Sequence, residues 1–460
     1  MLKFDWKVKL LNEVKAIFEP KNVVLIGSSV LRERVGMASP QLFKSVIYNM
    51  KKYFHGKTYI FDVNASHKKL NELPIAPELA VLMLPPRQSI FMAEKCAEIG
   101  VKALIIIPGG YKDAQREKLF KIRERYGVRI LGPNTIMGVI NTANGLNTTF
   151  ERNTMPKKGN IAVISQSGGV GACILDWACF YNIGISKFAF MGDKIDVDDV
   201  DLLHYLSQDK QTKVICLYME GVKNGRAFVE TARKIVKEKP ILALKGGITE
   251  ESAQRAKSHT ASMAGKDEIF DAALRKAGII RVGNVEELMD TAIALSKQPP
   301  MSGDNVAIVS NVGGPAILAG DAVARANLKL ATLSEETRRK IESSYPGVDA
   351  TNPIDIIADA RADRYEKVLE LVLSDENVDG VLIINMLKSC FFEPRDAKII
   401  PKVAKKYPNK PVVDVPAGGE DFALVFKVLG KSNIPLYNLP EKAVKALKVL
   451  RDYGKIIEKH

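Results

Sequence analysis

This chain is expected to fold as an α/β protein of three consecutive doubly wound parallel-sheet domains. Three observations predict it. Continuous apolar runs of four to six residues recur along the chain, each followed by a helical pattern, which is how strands buried on both faces of a parallel sheet read. Three of these runs end in a Gly/Ser/Asn turn that opens toward a helix, at intervals of about 140 residues, the size of one compact domain. Two segments look like joins, Asn153-Thr154-Met155-Pro156-Lys157-Lys158-Gly159 and Gln298-Pro299-Pro300-Met301-Ser302-Gly303-Asp304, because Pro, Gly and small polar residues interrupt periodic structure. The expected domains are therefore 1–150, 151–298 and 299–460.

In the first block the strand Val23–Ile26 runs into Gly27-Ser28-Ser29. Strand Leu79–Leu84 precedes a helix around 87–99, and strand 103–107 precedes a charged helix and the strand Arg129-Ile130-Leu131. In the second, Ile161–Ile164 enters Ser165-Gln166-Ser167-Gly168-Gly169 and a helix from Val170 to Phe180. Strand Val214–Tyr218, a helix near 225–237 and strand Ile241–Leu244 follow. In the third, Val306–Val309 enters Ser310-Asn311-Val312-Gly313-Gly314-Pro315. Strand Gly380–Ile384, a helix near 395–406 and strand Pro411–Val415 complete it. Ligands of such sheets bind beyond the carboxyl ends of the strands, where every motif considered below falls.

Bulk composition narrows the classes. Hydrophobic residues make up 46% and charged residues 26% of the 460, an ordinary soluble balance. No apolar run is long enough to span a bilayer, and the N-terminus has no signal-like apolar segment. Five scattered cysteines without metal spacing suit a reduced, cytoplasmic protein. The net charge of +14 invites nucleic acid, but lysines alternate with acids and aromatics are only 7%, so neither a basic stripe nor a stacking platform is present. Neither nucleic acid nor membrane is an expected partner. The run Asp193, Asp196, Asp198, Asp199, Asp201 reads as a solvated helix start rather than a metal site, and no metal site is expected.

The turns point to anions. Backbone N–H groups at a helix N-terminus attract phosphate through unpaired donors and the helix dipole, and glycines let the anion come close. Ser165, Gln166, Ser167, Gly168 and Gly169 are candidate phosphate ligands, as are Asn311, Gly313 and Gly314; an ordinary capped strand-to-helix turn stays open beside that reading. Gly27, Ser28 and Ser29 lack the G-x-G-x-x-G spacing of a dinucleotide site, with Asp62 the nearest ribose-binding candidate, which disfavours a nicotinamide enzyme. Pro85-Pro86-Arg87 would place a positive charge beside that turn.

His259 lies in Lys257-Ser258-His259-Thr260-Ala261-Ser262-Met263-Ala264-Gly265, among small polar residues with nothing bulky to pack it. Neutral imidazole is available near pH 7, so a nucleophile and a plain surface-loop histidine are both open. Glu220, closing the strand that ends at Tyr218, could hold one imidazole nitrogen and leave the other free; an exposed loop acid is the alternative.

Taken in order, Val24-Leu25-Ile26-Gly27-Ser28-Ser29, Gly132-Pro133-Asn134, Gly138-Val139-Ile140-Asn141-Thr142, Ile164-Ser165-Gln166-Ser167-Gly168-Gly169, Tyr218-Met219-Glu220-Gly221, Lys257-Ser258-His259-Thr260, Asn311-Val312-Gly313-Gly314-Pro315 and Asn352-Pro353-Ile354-Asp355 resemble the α subunit of archaeal ADP-forming acetyl-CoA synthetases. That family belongs to the NDP-forming acyl-CoA synthetases, with succinyl-CoA synthetase. The resemblance implies a Rossmann-like CoA-binding domain and two flavodoxin-like ligase domains. It implies that acyl-CoA, ADP and phosphate are exchanged for the acid, ATP and CoA through an acyl phosphate and a phosphohistidine at His259, steadied by Glu220. It implies CoA contacts from Gly27, Ser28, Ser29, Pro85, Pro86, Arg87, Pro108 and Gly109, and Asn134 in the substrate pocket. It further implies a separate ATP-grasp β subunit holding ADP/ATP and Mg²⁺, in an α2β2 heterotetramer. A non-catalytic CoA-binding regulatory protein is the alternative; it would lack the histidine or the glycines. The chain departs from the family pattern at Ala261, where relatives carry glycine, and in the loop Ser29–Gly36.

Overall fold

The structure, a computed structural model, describes residues 14–30, 37–65, 70–252, 254, 267–389 and 391–459. The chain divides into two compact units, Met1–Val285 and Glu286–His460. The first carries two sheets and the second carries one.

The first sheet joins β1 (Asn22–Gly27), β2 (Lys57–Asp62), β3 (Leu79–Leu82), β4 (Ala103–Ile106) and β5 (Arg129–Leu131) in the order β2-β1-β3-β4-β5, all parallel. Helices α1 (Pro40–Tyr53), α2 (Pro86–Glu98) and α3 (Asp113–Tyr126) connect them. Strands β1, β3, β4 and β5 are buried throughout, whereas the edge strand β2, Lys-Thr-Tyr-Ile-Phe-Asp, is half exposed. A mixed polar–apolar edge lacks the continuous apolar signature, which is why sequence reading passes over it. Helix α1 begins where Ser39 Oγ accepts the Leu42 N–H at 3.1 Å, with Pro40 in the first turn, a position where its missing N–H costs nothing.

The second sheet contains β6 (Val139–Asn141), β7 (Leu146–Asn147), β8 (Lys157–Ser165), β9 (Gly184–Phe190), β10 (Val214–Met219), β11 (Ile241–Lys245) and β12 (Ile280–Val282). Their order is β12-β11-β10-β8-β9-β6-β7. Five strands are parallel, but β6 runs antiparallel to β9 and β7 antiparallel to β6. The doubly wound sheet thus gains an antiparallel margin from residues 139–147, short strands that precede residue 150 and carry no local signal of which sheet they join. Helices α4 (Gly168–Phe180), α5 (Asp199–Gln208), α6 (Gly225–Ile235) and α7 (Asp267–Ala277) accompany this sheet.

The second unit opens with α8 (Val285–Lys297), whose first residue closes the preceding unit. It continues through β13 (Asn305–Ser310), α9 (Gly313–Arg325), β14 (Lys329–Leu330), α10 (Glu335–Ser344), β15 (Ile354–Asp355), α11 (Ala362–Ser374), β16 (Gly380–Asn385), α12 (Ile399–Ala404), β17 (Val412–Pro416), α13 (Gly419–Leu429) and α14 (Pro440–Lys459). The sheet is parallel, in the order β14-β13-β16-β17 with β15 on β13. Tyr365 and Phe392, ring centroids 4.6 Å apart, lie in its core beside Val381 and Ile383.

Candidate functional site

One local device recurs at all three turns. The serine that ends β8, Ser165, is fully buried; its Oγ donates to Ser167 O at 2.6 Å and accepts the Ser167 N–H at 3.2 Å. Ser310 does the same with Val312, at 2.8 and 3.1 Å. Ser28 does the same with Val30, at 2.5 and 3.1 Å. A hydroxyl that satisfies both a donor and an acceptor two residues ahead folds the chain away from the strand without a buried unpaired group. These three serines therefore build turns with their side chains.

After β8, Ser167 Oγ caps α4 by accepting the Val170 N–H. The N–H groups of Gly168 and Gly169 make no hydrogen bond among the described residues, and a Cβ on Gly169 would meet nothing within 4 Å. Two adjacent unpaired N–H groups at the start of a 13-residue helix, with open space at Gly169, form an anion cradle.

Gln166 behaves differently from the phosphate ligand expected of it. It is 5% exposed. Its Oε1 accepts the Glu220 N–H at 2.8 Å and the Gly221 N–H at 3.1 Å. Its Nε2 donates to Asp199 Oδ1 at 2.7 Å and to Gly221 O at 2.9 Å, and its own N–H donates to Tyr218 O. Every donor is occupied, so the side chain braces the turn that carries Glu220. Lys194 extends the brace: its buried Nζ pairs with Asp199 at 3.1 Å and donates to Gly221 O. Such a pair is tolerable in the interior because further hydrogen bonds satisfy both ions. Glu220 itself is half-buried at the end of β10, and Tyr218 Oη lies 3.5 Å from its Oε1. Burial, with Glu220 alongside, pushes the Tyr218 hydroxyl up to about 12, so it stays a donor.

The acidic run is not a solvated helix start. Asp196, buried, accepts from Arg129 Nε at 2.9 Å, Arg123 Nε at 3.2 Å and the Ile130 N–H at 2.8 Å. Asp193 accepts from Arg116 at 2.9 Å and from Asn134 Nδ2 at 3.3 Å. Asp201 pairs with Arg129, and Asp198 caps α5. The run clasps the loop 191–198 and the first turn of α5 to β5 and α3 of the first sheet. Among the described residues no cluster of His, Cys, Asp and Glu could hold a metal ion.

Asn134 belongs to the same junction. It is exposed, left-handed at φ 66, and lies in the loop 132–138. A Cβ on Gly109 would come within 2.7 Å of its Oδ1. Pro108 O accepts the Asn134 N–H at 3.1 Å. The expected CoA residues Pro108 and Gly109 and the expected pocket residue Asn134 are thus in direct contact.

Turn one is more occupied than expected. A Cβ on Gly27 would overlap the Phe43 ring at 2.3 Å, so this glycine admits helix α1 to the sheet. The Ser29 N–H donates to Asp62 Oδ2 at 3.1 Å, and Ser28 Oγ also receives Asn64 Nδ2. Asp62 therefore closes the turn. Pro85 precedes α2, Pro86 is buried in its first turn, and Arg87 is exposed there without an ion-pair partner among the described residues. It is a free positive charge at the carboxyl end of β3.

His259 lies outside the described residues, as do Ala261 and Gly36. The strand before the His259 segment, β11, pairs with β10 through Tyr218↔Leu244 and Met219↔Lys245, so it ends beside the Glu220 turn. In the second unit, Asn311 Oδ1 accepts the Met386 N–H at 2.9 Å and its Nδ2 donates to Met386 O at 3.1 Å. The N–H groups of Gly313 and Gly314 make no hydrogen bond among the described residues, and a Cβ on either would meet open space. Pro315 follows, with no N–H to offer.

The chain is similar to known proteins over nearly its whole length. A family described as a CoA binding domain matches residues 21–141, and one described as a succinyl-CoA ligase like flavodoxin domain matches residues 158–295. The α subunit of acetate–CoA ligase [ADP-forming] II from Pyrococcus furiosus is 36% identical, over 95% of this chain and 97% of that protein. Acetate–CoA ligase [ADP-forming] I of Archaeoglobus fulgidus is 35% identical over 97% of this chain, which spans only 64% of that longer protein. The solved dinucleotide forming acetyl-coenzyme A synthetase 1 of Ca. Korarchaeum cryptofilum, in complex with phosphate and ADP, superposes with a TM-score of 0.87 at 30% identity, covering 97% of this chain and 99% of that one.

Proposed function

This chain belongs to the ADP-forming acetate–CoA ligase family as an α subunit, and from that premise we propose how its residues divide the reaction. The enzyme interconverts acyl-CoA, ADP and phosphate with the carboxylic acid, ATP and CoA. Phosphate sits on the free N–H groups of Gly168 and Gly169; Gly313 and Gly314 offer a second anion-binding turn within the second unit, shaped by Asn311. A phosphate oxygen attacks the thioester carbonyl; the C–O bond forms, the C–S bond breaks, and CoA leaves as the thiol after taking a proton. A nitrogen of His259 then attacks the phosphorus of the acyl phosphate. The P–O bond to the acyl group breaks, and the carboxylate leaves. Glu220 accepts the hydrogen bond from the other imidazole nitrogen and stabilises the charge that develops there. ADP finally takes the phosphoryl group from His259. Such transfer depends on positioning and charge stabilisation more than on covalent machinery.

Gln166 acts in this scheme through Glu220, as a positioning residue, and Ser165 acts through the turn it builds. CoA lies along the carboxyl ends of the first sheet, over Gly27, Ser28, Ser29, Pro85, Pro86, Pro108 and Gly109, with Arg87 supplying charge for its phosphates and Asn134 at the thioester. We keep 1–150, 151–298 and 299–460 as a proposed functional division, although β6 and β7 pair into the second sheet and the compact units divide after Val285, the first residue of helix α8.

Relatives named as α subunits imply a separate partner subunit. The longer relative, of which this chain spans 64%, supports a partner that supplies the remaining third. We assign that partner an ATP-grasp fold, with ADP and Mg²⁺, in an α2β2 assembly. A cytoplasmic location fits the free cysteines Cys96, Cys173, Cys179 and Cys216, and no described helix is long and apolar enough to cross a membrane. The relatives give no support to a non-catalytic regulatory role.

The observation that carries this reading is the turn after β8, where two unpaired N–H groups stand beside a brace that fixes Glu220. It is tested by incubating the chain and its partner with acetyl-CoA and labelled phosphate. An acid-labile, base-stable label is expected on the wild type, and neither label nor ATP on His259→Ala. A fully active alanine variant would overturn the mechanism.

A further inference from the structure

The loop 132–138 reaches from the first sheet to the phosphate turn. Gly132, Asn134 and Gly138 are all left-handed, at φ 103, 66 and 52. Thr135 and Met137 are buried, at 0% and 1% exposure. The residues between and before them behave differently: Asn134 is exposed and Ile136 half-buried. Asn134 touches the Gly109 loop. Ile136 touches the other side: a Cβ placed on Gly168 would meet Ile136 Cγ2 at 3.4 Å, Phe190 Cε1 at 3.5 Å and Phe190 Cζ at 3.6 Å. The three atoms nearest that point thus belong to two apolar side chains. Phe190 is held there by its own N–H, which donates to Gly138 O at 3.0 Å.

These contacts constrain the acyl group. An acyl phosphate places the carbonyl carbon one bridging oxygen from phosphorus. With phosphate on the Gly168 and Gly169 N–H groups, the alkyl substituent begins two atoms from that phosphate and must pass the wall beside Gly168. We propose that Ile136, together with Phe190, is that wall and sets how large an acyl group the ligase accepts. A β-branched side chain is stiff at χ1, so the wall has a fixed position. It is hydrocarbon, so it stabilises a short uncharged chain and offers nothing to a second carboxylate. The wall therefore favours a small uncharged acyl group over a bulky or charged one. This inference rests on the ligase reading given above and adds to it a residue that discriminates among acids.

The test uses the α chain with its partner subunit and compares kcat/KM for acetate, isovalerate, phenylacetate and succinate. Ile136→Ala is expected to shift the phenylacetate-to-acetate ratio upward by about tenfold or more, the discrimination that a few methylenes give in a hydrophobic pocket. Ile136→Phe is expected to shift it downward and to depress isovalerate as well. Ile136→Val, which removes one methyl group and keeps the branch, is expected to move the ratio in the same direction as alanine by a smaller factor, without a change in melting temperature. The KM for phosphate stays at the wild-type value in all three. Equal scaling of every acid in all three variants, with acetate turnover retained, would overturn the wall and leave the ligase reading intact. Absence of turnover with every acid in the wild-type complex would overturn the reading itself and the wall with it.

Discussion

The second and third sheets are built alike around their central strands and differ in what they place at one position. In both, a buried serine ends the strand and folds the turn, and an amide residue follows it. The registers align Tyr218 with Ser165 and Ile384 with Ser310, so Glu220 and Met386 stand at equivalent places. Gln166 and Asn311 each bind the backbone N–H of that residue, at 2.8 and 2.9 Å. The longer glutamine also reaches Gly221; in the third sheet the following N–H, of Leu387, goes to Asp421 at 3.0 Å. The scaffold is repeated, and the chemistry is not: one copy offers a carboxylate and the other a thioether. Beneath these positions the polarity reverses. Met219 and Ala243 are apolar in the second sheet, whereas Asn385 and Asp414 occupy the matching positions in the third and are hydrogen-bonded at 2.5 Å. In the proposed scheme both helix N-termini can take an anion, and only the strand end of the second sheet adds a carboxylate.

The widest separation between the two copies is expected at that residue. Glu220→Gln should slow phosphohistidine formation on the order of 100-fold or more, the cost of losing an orienting carboxylate, with CoA binding retained. Met386→Leu should leave single-turnover labelling unchanged. Equal effects would break the assignment of orienting chemistry to the second sheet alone.

Next come the braces. Gln166→Leu strips partners from the Glu220 and Gly221 N–H groups, Gly221 O and Asp199, and Asn311→Leu strips only the Met386 pair. At about 1–3 kcal/mol for each buried group left unpaired, the first should lower the melting temperature more than the second. Only Gln166→Leu should lower kcat for phosphoryl transfer.

Asp414 gives a pH-dependent contrast. Burial raises its carboxyl to about 8, and Oδ2 has no hydrogen-bond partner among the described residues. Between pH 4 and 8 the folded protein keeps a proton that the unfolded chain releases, so this group's contribution to stability is fully present below pH 4 and is lost as pH rises toward 8. Asp414→Asn removes that slope. The melting temperature of the full chain should be raised by the substitution at pH 8 and nearly unchanged at pH 4. A variant that melts lower at both would show that the acid stabilises the unit.

The smallest expected effect concerns the cradles. Gly169→Ala and Gly313→Ala meet no atoms and should change stability by less than about 1 kcal/mol. Each should raise the KM for phosphate several-fold. A silent Gly313→Ala would assign phosphate to the second sheet's turn alone.

Much of this is legible in the order of the residues. Apolar strands, the Ser-(Gln/Asn)-x-Gly-Gly turns and the strand-end Glu220 are local patterns, and each falls where strand and helix periodicities place it. The use of the acidic run is not legible, because its cations, Arg116, Arg123 and Arg129, lie about 70 residues upstream and reach it only through packing. Gln166 reads as an anion ligand for a similar reason: a side-chain amide serves a phosphate or a neighbouring strand equally well until β10 is known to lie beside β8. The antiparallel margin of β6 and β7 is likewise a product of pairing, not of their few residues.

The order of the residues suffices for the strand ends, turns and helix starts, since these follow from short-range periodicity, glycine freedom and serine capping. Which strand lies beside which, and therefore which buried donors are spent and which stay free for a ligand, emerges only once the strands have packed. Hydrogen-bond satisfaction in the interior is a property of neighbours that are distant in the chain, and no local pattern encodes it.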